Sequence, residues 1–112
     1  MTDTAEITVC GDDHDVVIAC SGALDLGNTE PLKEGIVRSS AVAEALAVDL
    51  RHAEFIDTAV LEHLARGAKA MANRGKRFKV IALAGSHPLR VLRTVGFDAM
   101  MDLVVAPAAA DD

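Results

Sequence analysis

The chain has 112 residues, a formal net charge of −6, 51% hydrophobic residues and only 3% aromatic ones, with no Trp and no Tyr. So few aromatics leave almost no platforms for stacking bases, and the negative charge repels phosphate backbones, so direct nucleic-acid binding is not expected. Half of the residues being apolar argues for a packed core, yet no apolar run approaches the roughly 18 residues of a membrane span, so neither extended disorder nor membrane insertion is expected.

The length suits one domain, 1–112, with a core over about 5–105. Met1-Thr2-Asp3-Thr4-Ala5-Glu6 lacks the basic and apolar blocks of a secretory signal, and a cytoplasmic location is expected. Ile7 and Val9 alternate with Glu6 and Thr8 as in a strand, and Gly11-Asp12-Asp13-His14 has the composition of a hairpin turn. The returning strand is Val16-Val17-Ile18-Ala19-Cys20. A turn there would set Cys10 near Asp15 and Cys20 near Ala5, too far apart for a disulfide, so both cysteines read as small buried apolar residues.

After Gly22-Ala23-Leu24-Asp25, Asn28 or Thr29 caps a helix with Pro31 in its first turn and Leu32 and Ile36 on its inner edge, fading near Ser39-Ser40. Ala45 to Leu50 is nearly continuous in apolar residues, like a central parallel strand. The period then changes to a helix from Thr58 to Asn73. Val60, Leu61, Leu64, Ala68 and Met71 share one face, Glu62, Arg66, Lys69 and Arg74 read as a solvated face, and Gly75 stops the helix. Phe78 to Leu83 is the next strand. Ser86 or His87 with Pro88 opens a short helix through Val95, ended by Gly96. Met101 to Val105 makes a last strand, and 106–112 reads as a frayed tail.

The order is β-β-α-β-α-β-α-β, an α/β fold with a mixed, mostly parallel sheet, right-handed crossovers and helices expected to cover both faces. Catalytic signatures are missing. Neither GxGxxG nor GxxxxGK[ST] occurs, so no cofactor is expected. His14, His52, His63 and His87 lack metal-ligand spacing and read as surface or boundary residues, and no metal is expected. Ser86 and His87 are adjacent, which forbids a nucleophile–base pair, and Ser86 reads as a helix cap. Asp49, Glu54, Asp57 and Asp98 form no acid–base pair that spacing establishes. An enzyme is not expected.

The remaining feature is "FIDTAVLEHL", Phe55 to Leu64, where an Asp-Thr pair sits between an apolar strand end and a helix. Asp57 or Thr58 there can satisfy free helix N–H groups, and a cap is also exposed by construction. Together with "SGALD" (Ser21 to Asp25), "AVDLRHAEFIDTAVL" (Ala47 to Leu61), "NRGKRFKVIAL" (Asn73 to Leu83) and "LRVLRTVGFDAMM" (Leu89 to Met101), it resembles the STAS domains, the family of bacterial anti-sigma factor antagonists, over about residues 5 to 105. The resemblance implies a non-enzymatic module. It implies as partner an anti-sigma factor of serine/threonine-kinase type, bound so as to free a sigma factor. It implies a partner surface at Asp25, Asp57, Thr58, Ala59 and Glu62.

In that family the partner phosphorylates a serine in Asp-Ser-[Ser/Thr]-Gly-Leu, which here reads Asp57-Thr58-Ala59-Val60-Leu61. Ala59 replaces the residue usually modified and Val60 replaces the glycine, so Thr58 is the one phosphorylation candidate left in the motif. Asp-Thr-Ala also resembles the small STAS subunit of phospholipid-trafficking ABC transporters, and a scaffold module of a stressosome-like assembly is a third reading. Monomer and weak dimer both fit the sequence.

Overall fold

A computed structural model describes residues 5–12, 14–25 and 27–108. Five strands, β1 (Glu6–Gly11), β2 (Asp15–Leu24), β3 (Ala45–Ile56), β4 (Arg77–Leu83) and β5 (Asp102–Ala106), form one sheet in the order β1-β2-β3-β4-β5. Three helices connect them, α1 (Glu30–Ser40), α2 (Thr58–Asn73) and α3 (His87–Thr94), with a 3-10 turn at Phe97–Ala99. β1 runs antiparallel to β2, and every later pair is parallel. The expected element order and mixed topology hold.

The hairpin that starts the sheet is made by its turn. Asp12 Oδ1 accepts from the backbone N–H of His14 at 2.8 Å and of Asp15 at 3.0 Å. Gly11 has φ 111°, and a Cβ there would lie 2.1 Å from the Asp15 carbonyl oxygen, so only glycine fits. The pairing is shifted from the expected one, because Cys10 lies opposite Val17 and Cys20 opposite Ile7. Cys20 is buried as expected, but Cys10 is exposed, since its strand position points away from the helices.

The helices all pack on one face, not on both. Parallel strands laid down side by side in chain order, each joined by a right-handed crossover, bring every helix to the same side. Burial agrees. Ile18 of β2, Val48 of β3 and Val80 of β4 share one core with Leu32, Ile36, Leu64, Met71 and Leu92 from the three helices. The intervening positions Val17, Arg77, Lys79 and Val104 are exposed. The face carrying them has no cover.

β3 is longer than its apolar run suggested, because twelve residues continue to Ile56 through register shifts at Ala19/Ser21 and Gly22/Ala23 of β2. α2 has its expected ends, and Gly75 leaves it at φ 69°. Arg74 is not part of a solvated face. Its Nη1 donates to the carbonyl oxygens of Ser40, at the end of α1, and of Ala43, in the loop after it, each at 2.9 Å, tying the end of α2 to the segment that leaves α1. Ala106 closes β5 and so does not belong to a tail, of which residues 109–112 lie outside the described residues.

Candidate functional site

Two segments meet at the carboxyl ends of β2 and β3, where a parallel sheet exposes the loops that follow its strands. The Asp57 N–H donates to the Leu24 carbonyl oxygen at 3.2 Å, so the residue before α2 is bonded to the residue before Asp25. The Asp25 turn is held by its own side chains. Asp25 Oδ1 accepts from the Gly27 N–H at 2.9 Å, and Asn28 Oδ1 accepts from the Asp25 N–H at 2.9 Å. Asn28 Nδ2 donates back to the Ala23 carbonyl oxygen at 2.9 Å. Such local bonds are why Asp and Asn favour turns.

At α2 the question of cap or contact divides between two residues. Asp57 is the cap, extended at φ −113° and ψ −173°, and its Oδ1 accepts from the Ala59 N–H at 2.9 Å. Thr58 is exposed, and Glu62, one helical turn on, is exposed on the same side. Ala59 is half-buried, and Val60 is completely buried in the core. The Val60 side chain therefore fills the interior and does not reach the outer surface of the helix end.

Sequence reasoning missed the aromatic element beside this edge. Phe55, 41% exposed, stacks on the His87 ring with centroids 4.7 Å apart and planes 22° apart. The Ile56 N–H donates to His87 Nδ1 at 3.3 Å, so the start of α3 is fastened to the end of β3. The two residues are 31 apart in the chain, and no local pattern announces the pairing. His63 does not stand alone either. Its Nε2 lies 3.4 Å from Thr29 Oγ1, and Thr29, the residue before α1, makes no side-chain cap of its own. His63 Nδ1 is buried without a hydrogen-bond partner. Burial, helped by the nearby charges of Lys33 and Arg66, lowers the His63 pKa below its usual value against the opposing pull of Glu30 and Glu62.

The titratable groups elsewhere are structural. Arg51 forms a fork on Asp49, with Nη2 to Oδ2 at 2.8 Å and Nε to Oδ1 at 3.0 Å, and these bonds hold the Asp49 carboxyl below its usual range. Burial, with the Asp49 charge adding to it, pushes the Cys20 thiol up to about 12, which leaves it unreactive. Ser86 caps α3, its Oγ accepting from the Leu89 N–H at 3.3 Å. Among the described residues no three His, Cys, Asp or Glu side chains gather as a metal site, and no helix is long and apolar enough to cross a membrane. What the arrangement presents at this edge is the exposed set Asp25, Thr58 and Glu62, with Asp57 and Ala59 half-buried between them.

Comparison with known proteins bears on what that surface is. A family model described as "Mlab, STAS domain" matches residues 7–105. A search of curated proteins finds no match. Among solved structures, an anti-sigma factor antagonist from Mycobacterium paratuberculosis superposes with a TM-score of 0.79 at 24% identity, covering 90% of this chain and 86% of that one. The Bacillus cell fate determinant SpoIIAA in its phosphorylated form gives 0.68 at 17% identity, over 93% of this chain and 92% of that one. The unphosphorylated form of the anti-sigma factor antagonist SpoIIAA gives 0.75 at 13% identity, over 93% and 89%. At these identities the structures establish a common fold. With the family model running over nearly its whole length, the chain belongs to the STAS-domain family.

Proposed function

We propose that the protein is an anti-sigma factor antagonist. It binds an anti-sigma factor of the serine/threonine-kinase type in the cytoplasm and so releases a sigma factor, acting as a binder and not as a catalyst. The observation that carries this reading is the bond between the Asp57 N–H and the Leu24 carbonyl oxygen at 3.2 Å, which joins the Asp25 turn to the Asp57–Thr58 helix start as one surface. Asp25, Thr58 and Glu62 are exposed on it, with Asp57 and Ala59 half-buried between them. The structural relatives whose names identify antagonists share its architecture over most of the chain.

A second reading has its own support. The family model bears the description "Mlab, STAS domain", and Asp57-Thr58-Ala59 resembles the motif of the STAS subunit in phospholipid-trafficking ABC transporters. The same surface would then engage a nucleotide-binding subunit. Capture of the tagged protein from its native host, with the bound partner identified by mass spectrometry, separates the two. An ATP-binding anti-sigma factor supports the first reading, and an ABC ATPase replaces it with the second. Asp25→Ala is expected to weaken capture while the folded state loses no more than about 1 kcal/mol, the value of its one exposed turn bond to the Gly27 N–H. A parallel loss of folding would make Asp25 a structural residue.

A further inference from the structure

Parallel sheets are normally covered on both faces, because their strands expose too much apolar surface to face water on one side. Here all three helices lie on one face, and the other holds a shallow groove of about 550 Å³ across β2 to β5. Its floor is Ala45 and Ala47 on β3, and its walls include Asp15 and Val17 on β2 and Arg77 and Lys79 on β4. The central strand carries only methyl groups there, which lets another backbone approach closely. Among the described residues, the two ion pairs are Arg51–Asp49 and Lys76–Glu44, so Asp15, Arg77, Lys79 and Asp102 are free to bind elsewhere.

The placement of these charges selects the occupant. Asp15 is in register with Ala45, and Ala45 with Arg77, so the acid and the base flank the central strand in one row. A two-fold axis lying along β3, between two facing sheets, puts β2 of one copy over β4 of the other. Asp15 then faces the Arg77 of the second copy and Arg77 faces its Asp15, while Ala45 and Ala47 meet their own counterparts on the axis. The whole chain carries −6, yet this groove is balanced, with Asp15 and Asp102 against Arg77 and Lys79. Two copies therefore meet here without the repulsion they would feel elsewhere.

We propose that the open sheet face is a homodimer interface, closed by the reciprocal Asp15–Arg77 pairs across a two-fold axis along β3. Five strands about 4.8 Å apart make a face roughly 24 Å wide, so two copies bury on the order of 1,000 Å², at the low end for specific association. The dimer is thus reversible, with a dissociation constant in the micromolar-to-millimolar range. Because the axis runs along the strands, both copies keep their Asp57–Thr58 edges at the same end of the dimer. The proposal stands independently of which partner binds that edge.

Sedimentation equilibrium over a wide concentration range tests it. The wild-type protein should show a monomer–dimer equilibrium that weakens with added salt. Arg77→Asp and Asp15→Arg should each weaken it by roughly tenfold or more, because each substitution places like charges opposite one another twice in the dimer. Combining the two should restore association, with folding of all variants checked by circular dichroism. In a Cys10→Ser background, Ala47→Cys should be joined to its counterpart by a bifunctional thiol crosslinker, since facing sheets lie about 10 Å apart, position 47 meets itself on the axis and the buried Cys20 does not react. A protein that stays monomeric at every concentration overturns the proposal. So does a dimer indifferent to both charge reversals, or one that fails to crosslink through position 47.

Discussion

At the scale of single residues, the two members of the Asp-Thr pair stand in different environments. Asp57 holds the first turn of α2 through the Ala59 N–H, whereas Thr58 stands exposed beside it. Asp57→Ala should therefore cost about 0.5–2 kcal/mol in urea unfolding, the usual loss of an N-cap, and Thr58→Ala should stay within about 0.5 kcal/mol. Equal losses would mean that Thr58 shares the capping. His63 supplies a pH-dependent contact of the opposite kind. Its folded pKa is lowered by burial, so below its ordinary value of 6.5 the unfolded chain binds the proton more readily than the folded one. Stability should be full above that value and fall as pH drops through it, with a second loss below about 3.8, where Asp49 gives up its Arg51-bonded charge. Thermal melts of the wild type and His63→Gln compared across this range check the first step, which should be absent from the variant.

At the scale of elements, α2 joins the sheet to α1 and tolerates little change on its inner face. Leu64 is completely buried, and Leu64→Ala should cost about 2–5 kcal/mol. Gly67 is more informative, because helix propensity alone predicts that alanine there stabilises by up to about 1 kcal/mol. A Cβ at Gly67 would meet Ile36 Cγ2 at 2.8 Å and Phe78 Cε1 at 3.1 Å, so overpacking of about 1–3 kcal/mol should win and Gly67→Ala should lower the unfolding midpoint. A rise in the midpoint would show that Ile36 and Phe78 yield easily. The helices were legible in the chain because caps, periodic apolar residues and stop glycines act within a few residues, and α2 came out at both ends. What was illegible is set at long range. The cover on only one face follows from strand order, Arg74 finds the end of α1 from 31 and 34 residues away, and Phe55 meets His87 across the sheet edge. That the Asp25 and Asp57 segments share one edge follows from their both ending parallel strands, and no local chemistry in either segment alone required it.

At the scale of the whole molecule, the core and the proposed partner surface occupy different places. The core lies between the helices and one sheet face, and the exposed ends of β2 and β3 carry Asp25, Asp57 and Thr58 without contributing to it. That separation decides how a phosphate on Thr58 would act. At a helix N-terminus the dipole and free N–H groups favour an anion by about 0.3–1 kcal/mol, so the fold should accept the modification. A partner docked over that end should not, because about −1.5 to −2 charges would be forced into a desolvated contact beside Asp57. An unpaired charge of this kind costs about 2–5 kcal/mol at an interface, enough to reduce affinity by about 30-fold or more. In the motif that this segment resembles, however, the usual phosphate acceptor falls at Ala59, whose methyl group cannot take one, and Thr58 lies one residue earlier, rotated about 100° around the helix. A kinase shaped for the later position should therefore modify this protein slowly or not at all, and the protein should bind its partner constitutively. Incubation with the captured partner and ATP, followed by intact-mass measurement, should show no added phosphate on the timescale of binding. Rapid stoichiometric gain of one phosphate, abolished by Thr58→Ala, would instead make Thr58 the switch that controls release.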